Sequence, residues 1–178
     1  MNSKITYKIV AYEDGKEIFS EKLSFEILSS IVSRSPYSID KDPLFRLLAK
    51  HPSSMVREEI AGRDEISEEV CELLSKDTSI AVLRNLTRSR AFKEFATFEI
   101  LEKLIKISYE CAENIADDIE SYQLVDTSKL AELILLHEDP QVLLSLARNS
   151  SVPKKILKKL EEHEDSAISD AAKNTLYR

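Results

Sequence analysis

Apolar and polar residues alternate one by one at the start of the chain. Ile5, Tyr7, Ile9 and Ala11 fall on one side of an extended backbone and Thr6, Lys8, Val10 and Tyr12 on the other, the period of two that marks a strand. Asp14-Gly15 supplies a tight turn, and Glu17 to Leu23 return with Ile18 and Phe19, so residues 1–24 are expected to hold a β-hairpin. A lone two-stranded hairpin is marginal in water. This one is expected to pack as a cap over the core of the rest of the chain, or to pair with a second copy through its edge and so form a homodimer.

From residue 25 the period lengthens to that of a helix, and the pattern recurs. A shift of 26 carries Val56, Ile60 and Ala61 onto Val82, Leu86 and Thr87, and Leu44, Phe45 and Leu48 onto Val70, Cys71 and Leu74. The same shift carries Val142, Leu146 and Ala147 onto Ile168, Ala172 and Lys173, and Leu130, Ala131 and Ile134 onto Ile156, Leu157 and Leu160. A shift of 86 joins the two halves, while in the middle the spacing stretches to 30. Five helices, each apolar at i, i+1 and i+4, are predicted at about residues 42–50, 67–76, 97–107, 127–137 and 153–163. Pro43 and Pro153, with Ser67, Thr97 and Ser128, mark their starts. Phe92 to Phe95 read as the filling of a connection, and Tyr109 to Gln123 as a longer acidic helical stretch within a divergent insertion at about 107–126. A two-helix unit of this size cannot bury its own apolar stripe, so neighbouring units must stack across residues 25–178.

The runs Ser54-Met55-Val56-Arg57-Glu58-Glu59-Ile60-Ala61, Ile66 to Asp77 and Val82-Leu83-Arg84 resemble the leucine-rich repeat variant family, whose repeats are similar in style to HEAT repeats. The resemblance covers about residues 40–90 and 130–176 and is poor across 91–125. It implies a mainly α fold, a right-handed α-helical repeat solenoid or α-α superhelix in which short helices alternate with longer ones, and it implies a binding surface. Some members carry a cysteine cluster for an iron-sulfur centre ahead of the repeats. Cys71 and Cys111 are the only cysteines here, so no cofactor is expected.

Composition narrows the function. Two Gly in 178 residues argue against sandwiches, barrels and Gly-rich phosphate loops. A net charge of −7 disfavours generic attraction to nucleic-acid phosphates and anionic membranes. No apolar run is long enough for a signal peptide or a membrane span, and two cysteines suit a reducing compartment, so a cytoplasmic location is expected. Nucleotide-binding, metalloprotease, EF-hand and hydrolase motifs are all missing, which favours a protein with no enzymatic activity.

Charge is unevenly spread. Residues 83–93 hold Arg84, Arg88, Arg90 and Lys93 and no acid, whereas residues 110–139 hold nine acids, Asp117 and Asp118 among them, against Lys129. Arg88 and Arg148 occupy equivalent repeat positions. With Arg57, these residues (Arg57, Arg84, Arg88, Arg90, Lys93, Asp117, Asp118 and Arg148) are the candidate binding residues. They suggest a protein–protein interaction module whose partner carries opposite charge, with nucleic-acid binding as the alternative. His51, His137 and His163 share one repeat position at the end of the longer helix, with Asp77 standing there in the second unit. A cation or polar ring there suits the helix's terminal carbonyls, and packed helices stand too far apart for equivalent rings to share a metal. Cys71 lies in register with Phe45, Leu101, Ala131 and Leu157 and is expected to be a buried apolar residue; Cys111 is expected to be inert as well.

Overall fold

The computed structural model describes residues 6–36 and 41–178, so Ile5 of the expected strand lies outside the described residues. Strands β1 (Lys8–Glu13) and β2 (Lys16–Lys22) form the antiparallel hairpin. Asp14 (φ 48°) and Gly15 (φ 76°) both take left-handed conformations at its turn, the twist that suits a two-residue hairpin loop and the one place where a glycine is needed for its backbone. Ala11 faces Phe19 but Tyr12 faces Glu17, which leaves Ile18 as an extra residue, a bulge carried by β2.

Twelve α-helices follow among the described residues: α1 (Phe25–Arg34), α2 (Asp42–Leu48), α3 (Ser54–Ala61), α4 (Glu68–Leu74), α5 (Ile80–Arg88), α6 (Arg90–Phe95), α7 (Phe98–Ile107), α8 (Tyr109–Asp117), α9 (Thr127–Ile134), α10 (Pro140–Arg148), α11 (Lys154–Glu161) and α12 (Ser166–Leu176). All five predicted helices are present, as α2, α4, α7, α9 and α11. Their starts have the anticipated chemistry in part. Ser67 and Thr97 accept the N–H groups of Val70 and Ile100, whereas α9 is capped by Asp126 and not by Ser128. Phe92 to Phe95 belong to a helix of their own, α6, started by Ser89. The stretch from Tyr109 folds as α8, nine residues long like α5, and its surplus goes into a 3-10 turn at Ile119–Ser121 and the bend around Tyr122.

The helices lie in two layers. α1, α3, α5, α8, α10 and α12 pack side by side in that order as one continuous row. Behind it α4 packs on α2 and α6, α7 packs on α8 and α9, and α11 on α10 and α12. The residues matched by the sequence shifts meet between the layers. Val56, Val82 and Val142 are fully buried, as are Ile60, Leu86, Leu146 and Ala172, and Leu48, Leu74, Leu104 and Ile134. Phe45, Cys71, Leu101, Ala131 and Leu157 are all within 2% of full burial. Burying an aliphatic side chain of this size is worth about 1.5–3 kcal/mol, so this shared spine is the dominant source of cohesion.

Each junction in the first row is also closed by a polar clamp. A helix ends with carbonyls that have no partner inside it, and here the following segment supplies donors. Arg63 donates Nη1 to Val32 O (2.6 Å) and Nη2 to Ser35 O. Asn85 reaches Glu58 O (3.5 Å), and Asn114 reaches Arg84 O (3.2 Å). Asn149 reaches Ala116 O (3.1 Å) and Asp117 O (2.8 Å), and Thr175 reaches Ala147 O (2.7 Å). Arg63 and Asn149 stand at equivalent positions, one shift of 86 apart, and do the same job with different side chains.

Candidate interaction surface

Four of the five loops from the second layer back to the first, all but the one at Ser108 between α7 and α8, are built around one polar side chain. His51, His137 and His163 each accept, on Nδ1, the backbone N–H two residues on: Ser53 at 3.1 Å, Asp139 at 3.0 Å and Asp165 at 3.0 Å. Asp77 accepts the N–H of Ser79 in the same way, at 2.8 Å. The rings therefore act as acceptors that open the next helix, and not as donors to the terminal carbonyls of the previous one; the repeat position was legible but the direction of the bond was not. At His51, burial lowers the pKa below its ordinary 6.5, and the charge of Arg57 acts in the same direction.

Arg57 is enclosed between two of these loops. Its guanidinium grips Asp77 with two bonds (2.6 and 3.0 Å) and donates to His51 O (2.7 Å) and Pro52 O (3.1 Å), with 15% of its side chain exposed and 7% of that of Asp77. Burial tends to raise the Asp77 pKa, but Arg57 and the N–H of Ser79 outweigh it and hold the carboxyl below its usual range. Arg57 thus has four of its five N–H donors engaged inside the fold.

The other candidates sit along one edge of the first row and the α6 segment. Arg84 is exposed on α5, 3.9 Å from Glu110. Arg90 pairs with Glu94 at 3.1 Å, and Lys93 pairs with Asp118 at 2.7 Å, which ties α6 to the end of α8. Asp117 is exposed, and its carbonyl is held by Asn149. The basic run of the sequence is therefore interleaved in space with acids brought from α8. Arg88 and Arg148 are exposed and have no ion-pair partner among the described residues.

Both thiols are buried, and burial pushes Cys71 up to about 12 and Cys111 up to about 11, so at neutral pH neither is a nucleophile. Cys71 lies beneath a groove of about 340 Å³ between α4, α6 and α7, floored by Phe92, Phe95 and Ile100 with Glu68 and Glu99 beside it. Among the described residues no group of three or more His, Cys, Asp or Glu is placed to hold a metal ion.

The feature that sequence reasoning missed is the uncovered apolar surface at the N-terminal end. Among the described residues sixteen large apolar side chains are exposed, and ten of them lie between Ile9 and Met55: four on the hairpin, three on α1, Leu44 and Leu47 on α2, and Met55 on α3. Ile27 is 52% exposed and Ile31 44%, one turn apart on a face of α1 that no helix covers among the described residues. The hairpin touches the array at its root, where Tyr7 and Leu23 pack against the core and the Tyr7 ring lies 5.6 Å from that of His51. Beyond the root the residues of both strands are exposed, except Val10 of β1, which is half-buried. A groove of about 580 Å³ opens beside that root, lined by Tyr7, Leu23, Phe25, Leu47, Lys50 and Pro52 among others. The signal was present in the sequence as Ile27 and Ile31, but periodicity counts apolar positions and does not say which of two faces a neighbour will cover. No family model, curated protein or solved structure matches the chain. The exposed faces of α11 and α12, by contrast, carry Lys154, Lys155, Lys158, Lys159, Asp170 and Lys173.

Proposed function

We propose that this chain is a non-enzymatic protein–protein interaction module, a right-handed α-helical repeat solenoid of the leucine-rich repeat variant or HEAT-like kind, working in the cytoplasm. Its docking surface is the N-terminal end. The observation that carries this reading is the concentration of exposed apolar residues on the hairpin, α1 and α2, because contiguous apolar surface rimmed by polar groups marks sites of association. Hairpin edge and helix face are also two of the recurrent ways in which proteins engage one another.

Photo-crosslinking tests this reading. A crosslinker placed at Ile27 or Ile31 is expected to yield discrete protein adducts in native extract, and one placed at Lys158 none. Equal labelling at the two ends, or none at either, contradicts the reading. Arg88 and Arg148, exposed and without ion-pair partners among the described residues, favour one second reading, nucleic-acid binding along that edge. A gel shift at low salt decides it: retention that falls steeply with salt supports nucleic-acid binding, and absence of retention removes it.

A further inference from the structure

Among the described residues neither edge of the hairpin pairs with a further strand, and the two edges differ. Leu23 donates its N–H to Tyr7 O (2.9 Å), so Tyr7 and every second residue after it on β1 turn their backbone groups toward β2. The N–H and C=O groups of Lys8, Val10 and Tyr12 are left pointing away from it. This edge is regular, because the extra residue of the bulge belongs to β2, and it carries no proline. The other edge, through Ser20 and Lys22, is broken by that bulge at Ile18, a device that turns a strand away from further pairing.

We propose that β1 is a self-pairing edge: two copies of the chain join β1 to β1 antiparallel across a two-fold axis at Val10, extending each hairpin into one four-stranded sheet. This rests on the reading above, that the N-terminal end docks a protein, and names the occupant as a second copy. Antiparallel strands place residues with outward-facing backbone groups opposite one another. The register that meets this condition sets Val10 against the partner's Val10, Lys8 against the partner's Tyr12, and Ile9 against the partner's Ala11. No like charges face each other in it, and an ammonium beside a tyrosine ring is a favourable pair. Ile9, Ala11 and the adjacent Phe19 share one face, so joining two copies sets Phe19 and Ala11 in one row with the partner's Ile9, and Glu21, which faces Ile9 within each hairpin, closes the far end of each row.

Charge also points to a second copy. Residues 1–36 contain five basic and five acidic side chains, while residues 37–178 contain twenty basic against twenty-seven acidic. The whole net charge of −7 therefore lies outside the N-terminal end. Two copies meeting there bring neutral segment to neutral segment and keep their acidic bodies apart, whereas a strongly basic or acidic partner would find no local field to draw it in. A two-fold interface needs only a patch complementary to itself, which β1 supplies.

Sedimentation equilibrium of the full chain over a range of concentrations tests the proposal, with Val10→Pro and Ser20→Pro alongside. Both substitutions remove an N–H that faces away from the other strand, so the hairpin's own ladder is spared. The expected result is a reversible dimer whose dissociation constant rises by about tenfold or more in Val10→Pro and stays unchanged in Ser20→Pro. A monomer at every concentration overturns the proposal, as does a dimer weakened by Ser20→Pro alone or by neither variant. If Val10→Pro fails to fold by circular dichroism, Val10→Cys decides: opposed Val10 residues lie about 5.5 Å apart between Cα atoms, within disulfide reach. Oxidation should then give a covalent dimer with Val10→Cys and not with Ser20→Cys. A monomer that still crosslinks another protein from Ile27 sinks the second copy and leaves the docking surface standing, whereas a monomer with no adduct sinks both.

Discussion

His51 and Asp77 hold equivalent places in successive loops, and each receives a backbone N–H that would otherwise go unsatisfied at the start of a helix. They differ in what acid does to them. The His51 ring must be neutral at Nδ1 to accept, and its folded pKa lies below 6.5. As pH falls below 6.5 the unfolded chain takes up a proton that the folded chain resists, so this contribution is complete above 6.5 and is lost between 6.5 and the lower folded value. Asp77 has its pKa depressed instead. Its contribution is present above the ordinary 3.8 and is lost as pH falls through its lower folded value. Urea midpoints should therefore fall in two stages on acidification. His51→Asn keeps an acceptor without a titrating ring and should flatten the upper stage, which begins as pH falls below 6.5; an unchanged slope there would show that His51 does not couple folding to protons. The shared position of the three histidines was readable from a shift of 86, but not the direction of their bonds, because a histidine can donate or accept and only the loop geometry decides.

Helix ends show the same division between what spacing reveals and what it hides. The starts of α4 and α7 were legible because a hydroxyl precedes an acidic, then apolar, run. The clamps on the C-terminal carbonyls were not, since Asn149 and Thr175 act on residues some thirty positions earlier in the chain. Nor was α6, whose six residues are fewer than two helical turns and carry no repeat signature. Tyr122 is the most enclosed member of this set. It is 2% exposed, stands edge-on to Phe92 at 6.4 Å and gives its hydroxyl to Thr87 O (3.0 Å), and burial holds that hydroxyl far above the usual tyrosine range. Tyr122→Phe removes one oxygen and leaves the Thr87 carbonyl buried without this donor. It should cost about 1–2 kcal/mol in denaturant unfolding with the fold retained. A change near zero would mean that the carbonyl is satisfied in some other way.

Across the whole molecule the same apolar positions recur, and their burial depends on whether a neighbour exists to cover them. Val70, Leu130 and Ile156 are buried at a position where Leu44, on α2 beside the hairpin, is 41% exposed. Lys173 on α12 replaces the apolar or small residues of Ala61, Thr87 and Ala147, so that flank presents charge where the N-terminal flank presents Ile27 and Ile31. This asymmetry leaves the array with more exposed apolar surface at its N-terminal end, and it arises from a handful of substitutions within the repeated pattern. Periodicity alone reveals the stack; the contrast between its ends emerges only when the rows are assembled.

The central claim is that matched aliphatic positions form one internal spine while the apolar face of α1 lies outside it. The most direct measurement is equilibrium unfolding, at one dilute protein concentration, of Ile60→Ala, Leu86→Ala and Leu146→Ala beside Ile27→Ser and Ile31→Ser. The three spine variants should each lose about 2–5 kcal/mol, and the two α1 variants should stay within about 0.5 kcal/mol of the parent. Comparable losses in both groups, or small losses along the spine, would contradict the account.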